Sequence, residues 1–149
     1  MRNIYNPSDH TDTIERLNRL TSDAERRWGT MSVEEMLWHS RSQLELALGV
    51  IPSSSKAKGL IATPLGRWLS LYTVPWPKGV ITAPQMNVKK VNPQVQSFET
   101  EHKLLLERLE QVVASEQLQP HPLFGNISQK DWGRLIWKHL DHHLRQFGS

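Results

Sequence analysis

The chain of 149 residues contains no cysteine. This absence excludes intrachain disulfides, zinc–thiolate sites, iron–sulfur clusters and cysteine nucleophiles, so any transition-metal site must use histidine or an external thiol. Seven histidines remain as candidate ligands. A chain of this length can bury a hydrophobic core without cross-links, and we expect one domain spanning residues 1–149.

Long apolar runs are absent as well. No stretch approaches the roughly 20 apolar residues of a transmembrane helix, and the first residues lack the apolar centre of a signal peptide. We therefore expect a cytoplasmic protein with no membrane partner. The 18 basic and 15 acidic side chains are interspersed without forming a tract, so nucleic acid is not an expected partner.

Helical periodicity dominates what the sequence does contain. It predicts long helices over about 9–20, 33–48, 93–114 and 129–147, with a short one over 64–72. Strand patterns are nearly absent, and no repeat period is found. The sequence therefore predicts an all-α four-helix bundle, with a long crossover between the second and third long helices.

Three of these helices carry recognisable end signals. Ser32 and Glu35 form a capping box before the second helix, and Gly49 suits the left-handed residue that ends it. The third helix is predicted to begin with Pro93 at its first position. The fourth follows Ser128, with Asp131 as the capping partner.

The last helix places two histidines on its apolar face. At about 100° per residue, His139 and His143 lie near the centre of a stripe with Ile136, whereas His142 lies about 100° away and is predicted to face solvent. Side chains four residues apart stand on successive turns, so two imidazoles can converge on one ion. The alternative is that each is a core histidine hydrogen-bonded to a hydroxyl or a carbonyl.

The sequence also suggests roles for other histidines and for the tryptophans. His102 on the third helix is predicted to be a hydrogen-bonded core residue or a partner of a metal ligand. The segment His121 to Gly125 is interpreted as a rigid turn without chemistry. The tryptophans could line a ligand pocket or fill the core and cover the bundle end, with their indole nitrogens bonded to loop carbonyls. They are Trp68 and Trp76 in the apolar segment 64–77, and Trp132 and Trp137 in the last helix.

Three blocks of sequence resemble the DinB-like superfamily of damage-inducible, metal-dependent four-helix bundles, and within it an uncharacterised branch. The blocks are WGTMSVEEMLWH (28–39), HPLFG (121–125) and the stretch from Trp132 that ends in KHLDHHLRQF (138–147). The last block is the most specific, because that family has a metal-ligating histidine just before an Arg-Gln-apolar ending. The resemblance covers nearly the whole chain.

The resemblance implies a three-histidine metal site formed by His39, His139 and His143. The helical wheel alone supports His39 less well, because it leaves this residue about 120° from the main apolar stripe of the second helix. Three neutral imidazoles with an open position are the ligand set of a catalytic zinc or nickel ion. We therefore expect one divalent metal ion, most simply zinc or nickel, as the cofactor.

Two functional hypotheses follow. The first is a metal-dependent transferase that activates an exogenous low-molecular-weight thiol, or a hydrolase that activates water, because better-known relatives in the DinB-like superfamily resemble thiol S-transferases. The expected partners are then a small-molecule thiol or electrophile. The second is a non-catalytic binding or stress-associated module. A homodimer is expected in either case, since exposed tryptophans would otherwise leave an apolar surface patch.

Overall fold

The computed structural model describes residues 1–52, 59–73, 76–79 and 82–149, and within these ranges the protein is helical without strands. The all-α prediction is therefore confirmed. None of the helices in the described ranges is long and apolar enough to cross a membrane. The α-helices are α1 (Pro7–Asn18), α2 (Val33–Leu48), α3 (Pro64–Trp68), α4 (Val88–Val91), α5 (Phe98–Ala114) and α6 (Gln129–Gln146).

The ends of α2 and α6 follow the sequence signals. The Ser32 side chain accepts the Glu35 backbone N–H while the Glu35 carboxylate accepts the Ser32 backbone N–H, and Gly49 ends α2 at a φ of 78°. The Ser128 side chain accepts the backbone N–H of Asp131. Because α2 and α6 both begin at a cap that the sequence identifies, the angular positions of their side chains follow directly from the sequence.

The predicted start of the third long helix is wrong. α5 begins at Phe98, capped by Ser97, whose side chain accepts the Thr100 backbone N–H. The preceding α4 ends at Asn92 in the left-handed region, at a φ of 48°, which turns the chain away before Pro93. A serine cap satisfies orphan N–H groups that proline at the first position cannot satisfy, so the cap determines the boundary.

The long helices pack as a bundle in which α2 contacts both α5 and α6, and α1 contacts α6. A buried ionic network links α2 to α5: the Arg41 guanidinium lies 3.0 Å from the fully buried Glu101 and 2.7 Å from Glu45, which also pairs with Arg108. The largest fully buried side chains include Leu37, Leu44, Leu105, Leu109, Trp132, Leu135 and Ile136.

Between α2 and α5 the described residues form short elements. These are a 3-10 turn (Leu60–Ala62), α3, a π turn (Leu69–Thr73), a second 3-10 turn (Pro84–Met86) and α4. Side chains of α6 hold the π turn in place, because Lys138 donates to the Ser70 carbonyl at 2.6 Å and Arg134 to the Leu71 carbonyl at 3.0 Å. The segment therefore covers one side of α6.

Candidate metal centre

The structure brings His39 of α2 together with His139 and His143 of α6. Each of the three offers one ring nitrogen, and these nitrogens all lie within 4.8 Å of one another. The ring centroids are 4.7 to 4.8 Å apart in all three pairs. All three side chains are buried, with residue exposures of 4, 5 and 7%. The cluster contains the same three residues that the sequence and the resemblance indicated.

Hydrogen bonds on the outer side fix the tautomers of two of these histidines. His39 Nδ1 lies 2.8 Å from the Met86 carbonyl, which can only accept, so the proton is on Nδ1. His143 Nδ1 lies 2.8 Å from Gln146 Oε1, and the Gln146 amide nitrogen donates to the Trp28 carbonyl at 2.7 Å, which fixes the amide orientation. Both Nε2 atoms therefore have free lone pairs, as in metal-ligating histidines that donate their other N–H.

His139 completes the fit to a cation. Its Nε2 atom lies 2.8 Å from Nε2 of His39, which has no proton, and its buried Nδ1 atom has no hydrogen-bond partner. A neutral His139 with its proton on Nε2 can donate to His39 Nε2, and a metal ion held among the three rings would take the place of this proton. Ligands at about 2.0–2.1 Å from a tetrahedral ion are about 3.3 Å apart, between the 2.8 Å pair and the 4.8 Å limit of the cluster.

Burial also favours the ligand form of the three rings. The pKa of His143 is lowered to about 3 and that of His139 well below its usual 6.5, in both cases mainly by burial. The pKa of His39 is lowered by burial, partly offset by its bond to Met86. Neutral imidazole is the form that binds metals, so the site is ready to bind at neutral pH without losing protons from these rings.

The cluster lies in the wall of a cavity of about 750 Å³. Its lining is largely apolar, and no Asp or Glu of the described ranges contributes to it. The volume falls within the range of small-molecule sites, about 300–1,000 Å³. Aromatic and sulfur-containing side chains form much of the wall, among them Trp28, Met31, Trp76, Met86 and Phe124.

His142 does not face solvent as predicted. It is half-buried, lines the cavity, and its ring contacts those of Trp28 and Trp76 at centroid distances of 5.8 and 6.4 Å. The angular offset from His143 is as expected, but segments outside α6 cover that face of the helix. His142 is not one of the three clustered histidines.

His121 is a cavity residue that sequence reasoning missed. It lies in the predicted turn, where His121 and Gly125 pair through their backbones, and it is 5% exposed. Its Nδ1 atom accepts the backbone N–H groups of Leu123 and Phe124 at 3.1 and 3.2 Å, and its ring lines the cavity. Its place in a loop, seven residues after α5 ends at Ala114, gave no periodic signal that could have indicated burial.

The tryptophans divide between the two roles considered. Trp76 lines the cavity and donates to the Ser70 carbonyl at 3.2 Å, whereas Trp132 fills the core and donates to the Gln119 carbonyl at 3.0 Å. Trp137 lies against the core and stacks with the guanidinium of Arg134. Trp68 is 52% exposed and does not line this cavity.

His102 of α5 forms a hydrogen bond to α1. Its Nε2 atom lies 3.1 Å from the Leu17 carbonyl at the end of α1, and its ring stacks on Phe98 with centroids 5.6 Å apart. It neither lines the cavity nor belongs to the histidine cluster. The first of its two predicted roles, a hydrogen-bonded residue, is the one found.

Comparison with known proteins identifies a family but does not identify an activity. No curated protein and no solved structure matches the chain. One family model does match, over residues 5–149, and its description is "Protein of unknown function (DUF1569)". Because this match includes all three clustered histidines and the cavity wall, the chain belongs to the DUF1569 family of proteins of unknown function.

Proposed function

We propose that this protein binds one divalent ion through His39, His139 and His143 and uses it to transfer a small electrophile to a low-molecular-weight thiol. The observation that carries the proposal is the cluster of three buried, neutral imidazoles in the wall of a largely apolar cavity. Two of their free lone pairs are fixed by bonds on the opposite ring nitrogen.

The donor set favours zinc or nickel over magnesium or calcium. Imidazole nitrogens suit zinc, nickel, copper and iron, whereas carboxylate and carbonyl oxygens suit the harder cations. In the described part of the chain no carboxylate lines the cavity. With only neutral ligands, the ion would keep its full charge, which strengthens its effect on any group that binds beside the histidines.

Three protein ligands leave a coordination position for a substrate, as in catalytic zinc sites. The ion would lower the pKa of a thiol, or of water, and stabilise the anion. The protein residues supply the rest: Met86 and Gln146 orient two of the rings, and the largely apolar wall provides a surface for an apolar substrate. The choice of a thiol over water rests on the resemblance to the DinB-like superfamily.

The alternative is a non-catalytic module in which the ion is structural or merely stored. It is supported by the lack of acidic side chains in the lining, since a carboxylate would be the usual base for a hydrolytic reaction. Thiol transfer would need no such base, since the chemistry that a divalent ion held by these histidines would supply is to lower the pKa of a bound thiol so that it binds as the thiolate. For this reason we prefer transfer to hydrolysis.

The test has two steps and uses protein purified without a histidine tag. Elemental analysis after dialysis should give one zinc or nickel per chain, and a His139→Ala variant prepared in parallel should contain none. The loaded protein should then speed the reaction of cysteine or glutathione with 1-chloro-2,4-dinitrobenzene, which the metal-free protein should not. No metal in either protein would refute the site, and a metal without thiol transfer would favour the non-catalytic module.

A further inference from the structure

His121 presents a fixed hydrogen-bond donor to the cavity. Because its Nδ1 atom accepts two backbone N–H groups, from Leu123 and Phe124, the ring proton must be on Nε2. Burial lowers the pKa of His121 to about 4, so the ring is neutral at physiological pH. No described residue accepts a hydrogen bond from Nε2, and this atom is not among the fully buried unpaired ones. Its proton is therefore available from the cavity.

A second polar group in the lining also lacks a partner. Gln43 follows His39 by one turn of α2 and is 3% exposed, and its buried Oε1 atom has no hydrogen-bond partner among the described residues. A buried amide oxygen without a partner is unfavourable, because it has lost its bonds to water and gained none in return. Such a group in the wall of a cavity indicates that a ligand or water completes its bonding.

The cavity therefore combines neutral polar groups with apolar walls. Trp28, Trp76 and Phe124 supply aromatic surface, and the described lining includes no acidic side chain. Lys89 is the one charged side chain in the described lining, and it is exposed. An anion would gain only a solvent-screened ion pair with this lysine, and a cation would gain none with a carboxylate. Both would lose their hydration, whereas a neutral apolar molecule with one oxygen acceptor would lose little. The complement of a fixed N–H donor is a carbonyl oxygen.

We propose that the cavity binds a neutral, largely apolar carbonyl compound, with its oxygen accepting a hydrogen bond from His121 Nε2–H. This inference rests on the proposed function, to which it adds the class of electrophile. A neutral imidazole donor polarises a carbonyl without carrying a charge, and it stabilises negative charge that develops on the oxygen when a nucleophile attacks. His121 is thus a substrate-binding residue, and Gln43 is the acceptor for a donor group on the same ligand.

The test compares two probes of nearly equal shape in metal-free protein. Acetophenone carries a C=O group where α-methylstyrene carries C=CH₂, and quenching of tryptophan fluorescence measures the affinity of each. Wild-type protein should prefer the ketone by about 3- to 10-fold, the usual value of one net hydrogen bond. Working without metal removes any contribution from an ion that could itself bind the carbonyl.

The matched variant is His121→Asn. The asparagine Oδ1 atom can replace Nδ1 as the acceptor of the two turn N–H groups, while its Nδ2 group occupies the position of the ring Cδ2 and does not reach that of Nε2. The turn is therefore kept and the donor at the Nε2 position is lost. The variant should bind both probes equally and should take up metal as the wild type does. A preference that persists in the variant, or wild-type protein that binds neither probe, would overturn the proposal.

A direct measurement covers the case in which the variant does not fold. Long-range ¹H–¹⁵N spectra of the wild-type histidine rings should show His121 as the Nε2–H tautomer, with its signal shifted by the ketone and not by the alkene. A shift of equal size with both probes would also overturn the proposal. Elemental analysis of the wild-type protein before its metal is removed tests the metal site separately, so failure of the ligand proposal and failure of the metal proposal are distinguishable.

Discussion

The two sides of the cavity were built in different ways. One side consists of histidines on α2 and α6, two long helices, each of which is directly preceded in the sequence by the serine that caps it. The other side consists of short turns in the described residues of 60–73, 76–79 and 82–88 and in 119–125, held by long-range contacts such as Lys138 to Ser70 and Trp132 to Gln119. Local rules fix the first side and long-range contacts fix the second. Metal binding should therefore depend on the helices, and ligand selection on the wall.

The largest expected effect is a difference in metal binding between variants of two neighbouring histidines of α6. His143→Ala should abolish metal binding, because removing one of three ligands costs more than the 10- to 100-fold typical of changes to outer partners. His142→Ala should leave metal binding nearly intact, because His142 lines the cavity outside the cluster. Calorimetric titration with zinc measures both variants. Equal losses would mean that the ion lies elsewhere in the cavity.

Lowering the pH should reduce the stability of the folded protein through His121 in the cavity wall. The pKa of His121 is about 4 in the folded protein, below the unfolded value of about 6.5, so the unfolded state binds more protons as the pH falls through this interval. Its contribution to stability is complete above pH 6.5 and is lost towards pH 4. Over 2.5 pH units, from 6.5 to about 4, the loss approaches about 3 kcal/mol.

The matched measurement is urea unfolding of metal-free wild type and His121→Asn at several pH values. The variant should lose less stability than the wild type between pH 6.5 and 4, whereas the three clustered histidines contribute similarly to both proteins. The difference between the two curves therefore isolates residue 121. Parallel curves would show that His121 is not buried in its neutral form in solution.

An outer partner should have an intermediate effect. Gln146 accepts the His143 Nδ1 proton and donates to the Trp28 carbonyl, so it fixes the ring of a proposed ligand. Gln146→Leu should weaken metal binding by about 10- to 100-fold without abolishing it. The neighbouring Arg145 is exposed, and Arg145→Leu is the control that should bind metal normally. Normal zinc affinity in the Gln146 variant would show that this bond does not orient His143.

The helical wheel succeeded for α6 and failed for His39 for one physical reason. α6 has a single core-facing stripe, and His139 and His143 lie on it. α2 is different, because 12 of its 16 residues are buried and it contacts both α5 and α6. A helix buried on more than one side has no single stripe, so an angle of 120° from the main one does not indicate exposure. Only the resemblance could place His39 correctly.

The wall could not be predicted because its residues owe their burial to distant segments. His142 would face solvent on an isolated α6, but Trp76 from the connection covers it. His121 is buried in a five-residue turn whose apolar residues do not repeat at any period. The start of α5 was mispredicted for a different, local reason: Pro93 was taken as the first residue of the helix, and the cap that Ser97 forms was overlooked.

The smallest effect is expected on the outer surface of the wall, where the homodimer remains a prediction. Leu65, Trp68 and Leu69 are 66, 52 and 39% exposed and share one face by their three- and four-residue spacing. Trp68→Ser should change the free energy of unfolding of the protomer by no more than about 0.5 kcal/mol and should not affect metal binding, because the side chain is half exposed and outside the cavity.

Trp68→Ser should nevertheless dissociate a dimer that pairs through this face. Although basic and acidic residues are interspersed over most of the chain, it carries six scattered basic and no acidic residues between Glu45 and Glu99, so two copies meeting there would repel each other. Dimerisation should accordingly strengthen as salt screens the charges, which light scattering at low and high ionic strength measures. A monomeric mass at every salt concentration would show that the dimer prediction is wrong, and a dimer that weakens with salt would place the interface on another face.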